Sequence, residues 1–379
     1  MTELLHSPLH ERHEEAGAKF AEFGGWSMPL EYAGGGVLAE HRAVRESVGI
    51  FDVSHLGKAV VSGHKALDFL NLCLTNDLHK LVPGQAQYTM LCNDSGGVVD
   101  DMIAYVRSEE EVFLIPNAAN NSTVVGILSA QAAQDRSGDG ADIIGPLEVV
   151  NQHDEHAVLA VQGPRSEAVL TAMSLPTTMD YMAFETIQRD GWSMTVCRTG
   201  YTGEHGYELV VPADRALEVW DEVMAAGEQF QIRPCGLGAR DTLRTEMGYS
   251  LHGNEITPEI NPVEAGIGWA VGWKKTEPFL GSDALRAVKA EGPARRMRGL
   301  LAVGRGIPRH GMEVVDDQDE VVGVVTSGTF APSLKQGIGL ALVDSRFGIG
   351  DEVGVRVRNR VEKFKIVKPP FVTPGVRQS

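Results

Sequence analysis

The secondary-structure pattern of the sequence changes near residue 295, from mixed strand and helix patterns to short strand patterns alone. This change constrains the fold more than any other feature. Upstream of it, strand-like runs alternate with stretches of helical spacing. Downstream, short β-like runs such as VVGVVTSG and GIGLALV follow one another with frequent glycines and little helical pattern. The downstream texture predicts a small C-terminal β-barrel or sandwich. Since 379 residues exceed one ordinary core, further domains are expected upstream.

The upstream part mixes strands and helices in an order that does not repeat. Strand patterns are found at 86–92, 97–106, 112–116 and 156–164, and two more lie within 193–212. Helical patterns cover 214–228 and a segment that starts after Gly236. This order favours an α+β fold over a doubly wound parallel sheet. The stretch KAEGPA at 289–294 marks the expected domain boundary, so the predicted domains are 1–288 and 289–379.

Composition and charge narrow the class of protein. With 43% apolar and 22% charged residues the chain has an ordinary globular profile, and its net charge of −17 argues against a general nucleic-acid binder. The four cysteines show neither CxxC nor zinc spacing, so we expect no disulfide framework and no structural metal. Without a signal core or a long apolar run, the sequence predicts a cytoplasmic protein that does not span a membrane.

Two adjacent carboxylates, Asp100 and Asp101, interrupt an apolar strand of the predicted hairpin. Neighbouring side chains of a strand point to opposite faces, so only one of them can face a given pocket. An aspartate there needs a partner, water or a ligand. The pattern alone leaves two interpretations equally open. One is a site carboxylate, and the other is a structural role, with both aspartates solvated near the hairpin turn or one of them capping a neighbouring loop.

The segment 199–208, TGYTGEHGYE, alternates glycines with tyrosines and acids. Glycines let a backbone approach a flat ligand, and tyrosines offer stacking faces and hydroxyls. It is not a phosphate loop, because neither GK[ST] nor a GxGxxG ahead of a helix is present. On the residues alone, a tight hairpin flanked by tyrosines is favoured over a binding loop.

Arg240 and Arg244 lie four residues apart on the helix predicted after Gly236, hence on one face. An anionic ligand would offset their mutual repulsion, but Asp241 can pair with Arg244 equally well. The spacing by itself favours a solvated ion-pair face.

Taken together and in order, a series of motifs resembles the aminomethyltransferase (T-protein) family of the glycine cleavage system. The resemblance covers essentially the whole chain, and its most specific stretch is GLGARDTLRTEMGYSLHGNEITPEINPVEAG at 236–266. The other matching segments are FAEFGGWSMPLEY at 20–32, AEHRAVRESVGIFDVSHLGK at 39–58, QYTMLCNDSGGVVDDMIAYV at 87–106, VLAVQGP at 158–164, RTGYTGEHGYEL at 198–209, VTSGTFAPSLKQGIGLALV at 325–343 and KPPFV at 368–372.

The resemblance implies a fold and a reaction. The fold is a three-domain cloverleaf of class α+β, with two interleaved α/β domains and a C-terminal β-barrel-like domain. The acceptor is tetrahydrofolate, and the donor is an aminomethyl group on the dihydrolipoyl arm of the lipoylated H-protein. The products are 5,10-methylenetetrahydrofolate, ammonia and the reduced arm. No metal, nucleic acid or membrane is implied.

The resemblance also assigns roles to residues. Asp101 matches the second Asp of the family's GGxxDD segment and is the implied catalytic residue, a fixed carboxylate that engages the attacking folate nitrogen. Glu208 is expected at the pterin's amino and amide edge. The residues that the resemblance places around the folate are Tyr88, Asn117, Tyr201, Glu208 and Arg240, with Tyr249 and Trp273 on segments that align less tightly.

The sequence departs from the family pattern at two points. Leu56 replaces the methionine of the common SHMG segment, and the tail after PFV lacks a tyrosine found in some members. Two other functions remain as alternatives. One is a tetrahydrofolate-dependent demethylase of the same fold, and the other is a non-enzymatic folate-binding protein, which the presence of Asp101 disfavours.

Overall fold

The computed structural model describes residues 3–135, 147–358 and 360–376. Two compact units alternate along the chain. The first comprises Met1–Met90, Asp100–Arg240 and a short C-terminal piece that begins at Gly375, and the second comprises Leu91–Val99 and Asp241–Pro374. Several mixed sheets and a closed C-terminal barrel confirm the predicted α+β class.

The secondary structure has these bounds. The helices are His10–Glu15 (α1), Gly36–Glu46 (α2), Ala66–Cys73 (α3), Asn121–Asp135 (α4), Ser166–Ala172 (α5), Ala216–Gly227 (α6), Leu237–Met247 (α7) and Ser282–Glu291 (α8). The strands are Leu5–His6 (β1), Lys19–Phe23 (β2), Trp26–Glu31 (β3), Gly49–Asp52 (β4), Ala59–Gly63 (β5), Gln85–Cys92 (β6), Val98–Ser108 (β7), Glu111–Ile115 (β8), Leu147–Asn151 (β9), His156–Gln162 (β10), Phe184–Arg189 (β11), Trp192–Cys197 (β12), Gly206–Pro212 (β13), Arg233–Cys235 (β14), Arg295–Ala302 (β15), Glu313–Val315 (β16), Val321–Ala331 (β17), Gln336–Asp344 (β18), Glu352–Val357 (β19) and Arg360–Val367 (β20).

One hydrophobic core of the first unit forms around the sheet β11-β12-β13-β10-β4-β14. Its central strand β10 has the sequence HAVLAVQ and is buried on both faces, which explains its nearly continuous apolar run. Helix α6 contributes Val219, Trp220 and Val223 to the same core from one apolar stripe. These elements confirm the strands predicted at 156–164 and within 193–212, and the helix predicted at 214–228.

A second sheet, β6-β7-β8-β5-β9, contains the predicted hairpin, with β6 and β7 joined by NDSGG. The side chain of Asn93 accepts hydrogen bonds from the backbone N–H groups of Ser95 (3.1 Å) and Gly97 (2.9 Å), an Asx-type turn. Gly96 has φ +81°, which glycine adopts without strain. Strand β8 follows as predicted, antiparallel to β7 with Ile103 opposite Ile115.

The second unit contains a closed barrel with the strand order β15-β18-β17-β16-β19-β20. Its interior is filled by apolar side chains such as Leu300, Val325 and Phe364. The C-terminal barrel predicted from the short strand patterns after residue 295 is therefore confirmed. The domain boundary after residue 288 stays a prediction.

The prediction of a solvated ion pair on α7 is wrong for Arg244. Its side chain is only 2% exposed, and it donates hydrogen bonds to Asp241 (2.7 Å), to the buried Glu255 (2.9 Å) and to the hydroxyl of Ser327 (2.8 Å). The predicted partner Asp241 is correct, but the arginine holds together segments of the second unit that are distant in sequence. A buried guanidinium needs such a full set of acceptors.

Within the described ranges, no helix has both the length and the apolar character needed to cross a membrane. All four cysteines are free and buried, in agreement with the prediction that they form no disulfide framework.

Candidate functional site

Asp101 lies on β7 between two donors, one on the neighbouring strand β6 and one just beyond the end of β8. The Tyr88 hydroxyl, from β6, donates to Oδ2 at 2.9 Å, and the Asn117 side-chain amide donates to Oδ1 at 2.7 Å. Asn117 follows the end of β8, and continuing the register of Ile103 with Ile115 by two residues brings it opposite Asp101. The partly buried carboxylate is thus held in one orientation by two side chains.

The adjacent Asp100 is fully buried and binds the turn 117–120 that follows β8. It accepts hydrogen bonds from the backbone N–H and the side-chain amide of Asn117, each at 2.9 Å, and from the Asn120 amide at 2.7 Å. Burial, and then the charge of Asp101, raise its pKa to about 8, although these donors act in the opposite direction. Burial alternates over residues 98–103 of β7 as strand geometry requires, yet Asn117 reaches both carboxylates.

Tyr201, Glu208 and Arg240 form a second group in the first unit. The guanidinium of Arg240 lies 4.5 Å from the centre of the Tyr201 ring, a cation–π contact. Glu208, on β13, accepts a short hydrogen bond from the Thr199 hydroxyl. Burial raises the pKa of Glu208, while the bond from Thr199 and the charge of Arg240 partly offset that rise.

Electrostatics and hydrogen bonds connect the two groups. Burial first, and then Asp101 and Tyr201, raise the pKa of Tyr88 well above its ordinary value, so its hydroxyl stays protonated and remains a donor. Tyr105, on the strand of Asp101, lies 3.3 Å from the hydroxyl of Thr199. The structure therefore brings six of the predicted residues into one connected region of the first unit, with two carboxylates, an arginine and an aromatic face.

Sequence reasoning missed two residues of this region, Asn120 and Thr199. A signal for Asn120 was present, because a buried Asp100 needs donors and an asparagine-rich run follows the neighbouring strand. No comparable signal marks Thr199, since its bond to Glu208 depends on the pairing of two strands. Tyr249 and Trp273 belong to the second unit, where Trp273 lies under the ammonium of Lys289 at 3.9 Å. Their folate contacts stay predictions.

Comparisons with known proteins show the family of the chain. Residues 9–275 match the family model described as "GCVT N-terminal domain", and residues 295–373 match "Glycine cleavage T-protein C-terminal barrel domain". The chain belongs to the glycine cleavage T-protein family. An aminomethyltransferase of Mycobacterium tuberculosis is 54% identical to this member of the family over 377 residues, 99% of each chain. One of Frankia alni is 55% identical over 372 residues, 98% of this chain and 99% of its own.

A solved structure supports the same assignment to the T-protein family. The glycine cleavage system aminomethyltransferase T from Bartonella henselae superimposes with a TM-score of 0.90 at 34% identity, over 98% of this chain and 99% of its own. The resemblance noted from the sequence and the enzyme class, aminomethyl transfer, are confirmed.

Proposed function

We propose that this T-protein family member transfers the one-carbon unit of an aminomethyl group, carried on the dihydrolipoyl arm of H-protein, to tetrahydrofolate. The observation that carries the proposal is the carboxylate of Asp101, fixed between Tyr88 and Asn117 in a chain with full-length likeness to aminomethyltransferases. We place the reaction in the cytoplasm, as the sequence predicts, without a metal, a nucleic acid or a membrane.

The atoms of this reaction balance without a redox partner. The transferred carbon loses its bonds to sulfur and to the amino nitrogen and gains bonds to two folate nitrogens. The two protons that those nitrogens lose are taken up by the departing ammonia and the thiol. Positive charge develops on the carbon while it is between partners, and a fixed carboxylate at Asp101 stabilises such charge. The same carboxylate orients the attacking N–H group.

Three further residues fit the pterin and its surroundings. Glu208 has two oxygens, which suit the parallel N–H donors of the pterin's amino and amide edge. Tyr201 offers a ring face for a flat ligand, and Arg240, stacked on it, supplies positive charge for the anionic parts of a folate. The net charge of −17 makes such a local cation valuable for an anionic substrate.

The experiment that tests the proposal uses tetrahydrofolate and aminomethyl-loaded H-protein. Asp101→Asn keeps the size of the side chain but removes its charge, so tetrahydrofolate binding should persist while methylenetetrahydrofolate formation falls by about 10²-fold or more. The matched control is Asp94→Asn, the same chemical change at an exposed position in the turn of the same hairpin. Near-normal turnover of Asp101→Asn would refute its catalytic role.

The same assay separates the alternatives. A wild-type protein that ignores loaded H-protein but demethylates a small thioether or aryl ether would be a demethylase of this fold. A protein that binds tetrahydrofolate and turns over neither donor would be a folate-binding protein. Either result contradicts the proposed aminomethyl transfer.

A further inference from the structure

The C-terminal segment Gly375–Val376 lies on the loop 199–206, which follows β12, carries Tyr201 and ends at the first residue of β13. The backbone N–H of Gly375 donates to the carbonyl of Gly203 at 2.7 Å, two residues from Tyr201. The guanidinium of Arg198 donates to the carbonyl of Val376 at 2.8 Å and to that of Gly206 at 3.0 Å. One buried arginine thus ties the tail to the far end of the loop.

Side chains from α2 and β10 also hold this loop. Arg45, on α2, donates to the carbonyl of Thr202 and to the carboxylate of Glu204, each at 2.8 Å. The buried Gln162 donates to the carbonyl of Thr199 at 3.2 Å and accepts from the Thr202 hydroxyl at 2.9 Å. At the end of the loop, Gly206 pairs with Gln162 in the sheet and the carbonyl of His205 accepts from the backbone N–H of Gly163. The side chains of Arg45 and Gln162 and the tail hold the part of the loop that contains Tyr201.

The fit of the tail on the loop requires glycine at position 375. A Cβ atom there would lie 2.2 Å from Oε2 of Glu204, which is closer than atoms approach one another. Glu204 has little freedom to move aside, since its other oxygen is held by Arg45. Even a methyl group at this position would therefore lift the tail or break the Arg45 pair.

We propose that Gly375 and Val376 form a strap that holds the 199–206 loop in the conformation presenting Tyr201 to tetrahydrofolate. They are positioning residues, because they act through Tyr201 and touch no substrate themselves. A loop that is already ordered loses less conformational entropy when a ligand binds, so the strap increases affinity without adding a contact. The inference rests on the proposed function, since it takes tetrahydrofolate as the ligand.

Two variants release the strap in different ways. A chain that ends at Pro374 removes both tail hydrogen bonds, and Gly375→Ala displaces the tail by steric conflict with Glu204. We expect each to weaken tetrahydrofolate binding, measured by anaerobic calorimetry, by about tenfold. The melting temperature should stay within about 2 °C of wild type, because detachment of a chain end is a local opening. A chain that ends at Val376 keeps both hydrogen bonds and is the matched control.

A coupling measurement shows whether the strap acts through Tyr201. In a Tyr201→Ala background, loss of the tail should change affinity by less than about twofold, because the side chain it positions is gone. Equal losses in both backgrounds would overturn the inference, and so would wild-type affinity of both strap variants. A wild-type chain that does not bind tetrahydrofolate would instead defeat the proposed function, so the two failures are distinct.

Discussion

Asn117 offers the sharpest test of how the candidate site is built, because one amide serves both carboxylates of β7. Its nitrogen lies 2.9 Å from an oxygen of Asp100 and 2.7 Å from an oxygen of Asp101. Asn117→Ala removes these bonds, while the backbone N–H of residue 117 continues to serve Asp100. The substitution should therefore destabilise the first unit and also release the orientation of Asp101.

The magnitude follows from the surroundings of each bond. Removing one donor from a buried acceptor costs about 1–3 kcal/mol, and the buried Asp100 keeps its bond from Asn120, so about 2 kcal/mol is expected there. The half-buried Asp101 keeps Tyr88 and gains water, which limits its share to about 1 kcal/mol. At about 2–4 °C per kcal/mol for a unit of this size, the melting temperature should fall by about 6–12 °C.

Asn117 has two roles, stabilising the first unit through Asp100 and orienting Asp101. Measuring activity beside a matched control variant separates them. Asn120→Ala removes a bond to Asp100 and leaves both side-chain donors of Asp101 in place, so at about 2 kcal/mol it should lower the melting temperature by about 4–8 °C and change kcat less than about threefold. Asn117→Ala frees the catalytic candidate, and misplacement of a reacting group costs up to about 10²-fold in kcat. Calorimetry with the methylenetetrahydrofolate assay measures both effects. Equal kcat values for the two variants would refute the view that Asn117 orients Asp101.

Two further predictions concern stability. Burial alone raises the pKa of Asp52, but hydrogen bonds from His13, Ser54 and Ser7 outweigh burial and lower it to about 2. The lowered pKa means that the Asp52 carboxylate contributes about 2–3 kcal/mol to stability above its unfolded pKa of about 4, and that this contribution is lost as the pH falls from about 4 to about 2. The difference in unfolding free energy between wild type and Asp52→Asn, measured in urea titrations, should therefore shrink over that pH range. A constant difference would contradict the lowered pKa of Asp52. Gly126→Ala, on the exposed face of α4 with no atom within 4 Å of the added Cβ, should raise the unfolding free energy by about 0.5–1 kcal/mol, and a loss in the same titration would indicate an unseen contact.

Local patterns were sufficient for much of the fold. The hairpin of β6 and β7 follows from alternation and from NDSGG, which are features of neighbouring residues. The choice between Asp100 and Asp101 was not available in that pattern. It depends on Asn117 and Asn120, which follow the next strand and donate the hydrogen bonds that the buried Asp100 needs.

The burial of Arg244 was beyond sequence reasoning for a similar reason. Spacing on one helix shows Asp241 as a partner, but Glu255 and Ser327 reach the same guanidinium from a loop and a barrel strand. Without knowledge of those acceptors, burial of an arginine is unfavourable and exposure is the better prediction. The family resemblance supplied the candidate site residues, and their connections to one another are visible only in three dimensions.

The alternation of the two units along the chain has a consequence for how the protein emerges from the ribosome. Residues 91–99 belong to the second unit but leave the ribosome well before Asp241, where the rest of that unit begins. The first unit likewise receives its last piece only from Gly375 onward. Domains usually fold as units in the order of synthesis, but here the second unit is complete only once Pro374 has been made and the first only after Gly375 follows. The tip of the β6–β7 hairpin is therefore made long before partners such as Pro258, whose carbonyl accepts from the side chain of Asn93, and it stays without them during that interval.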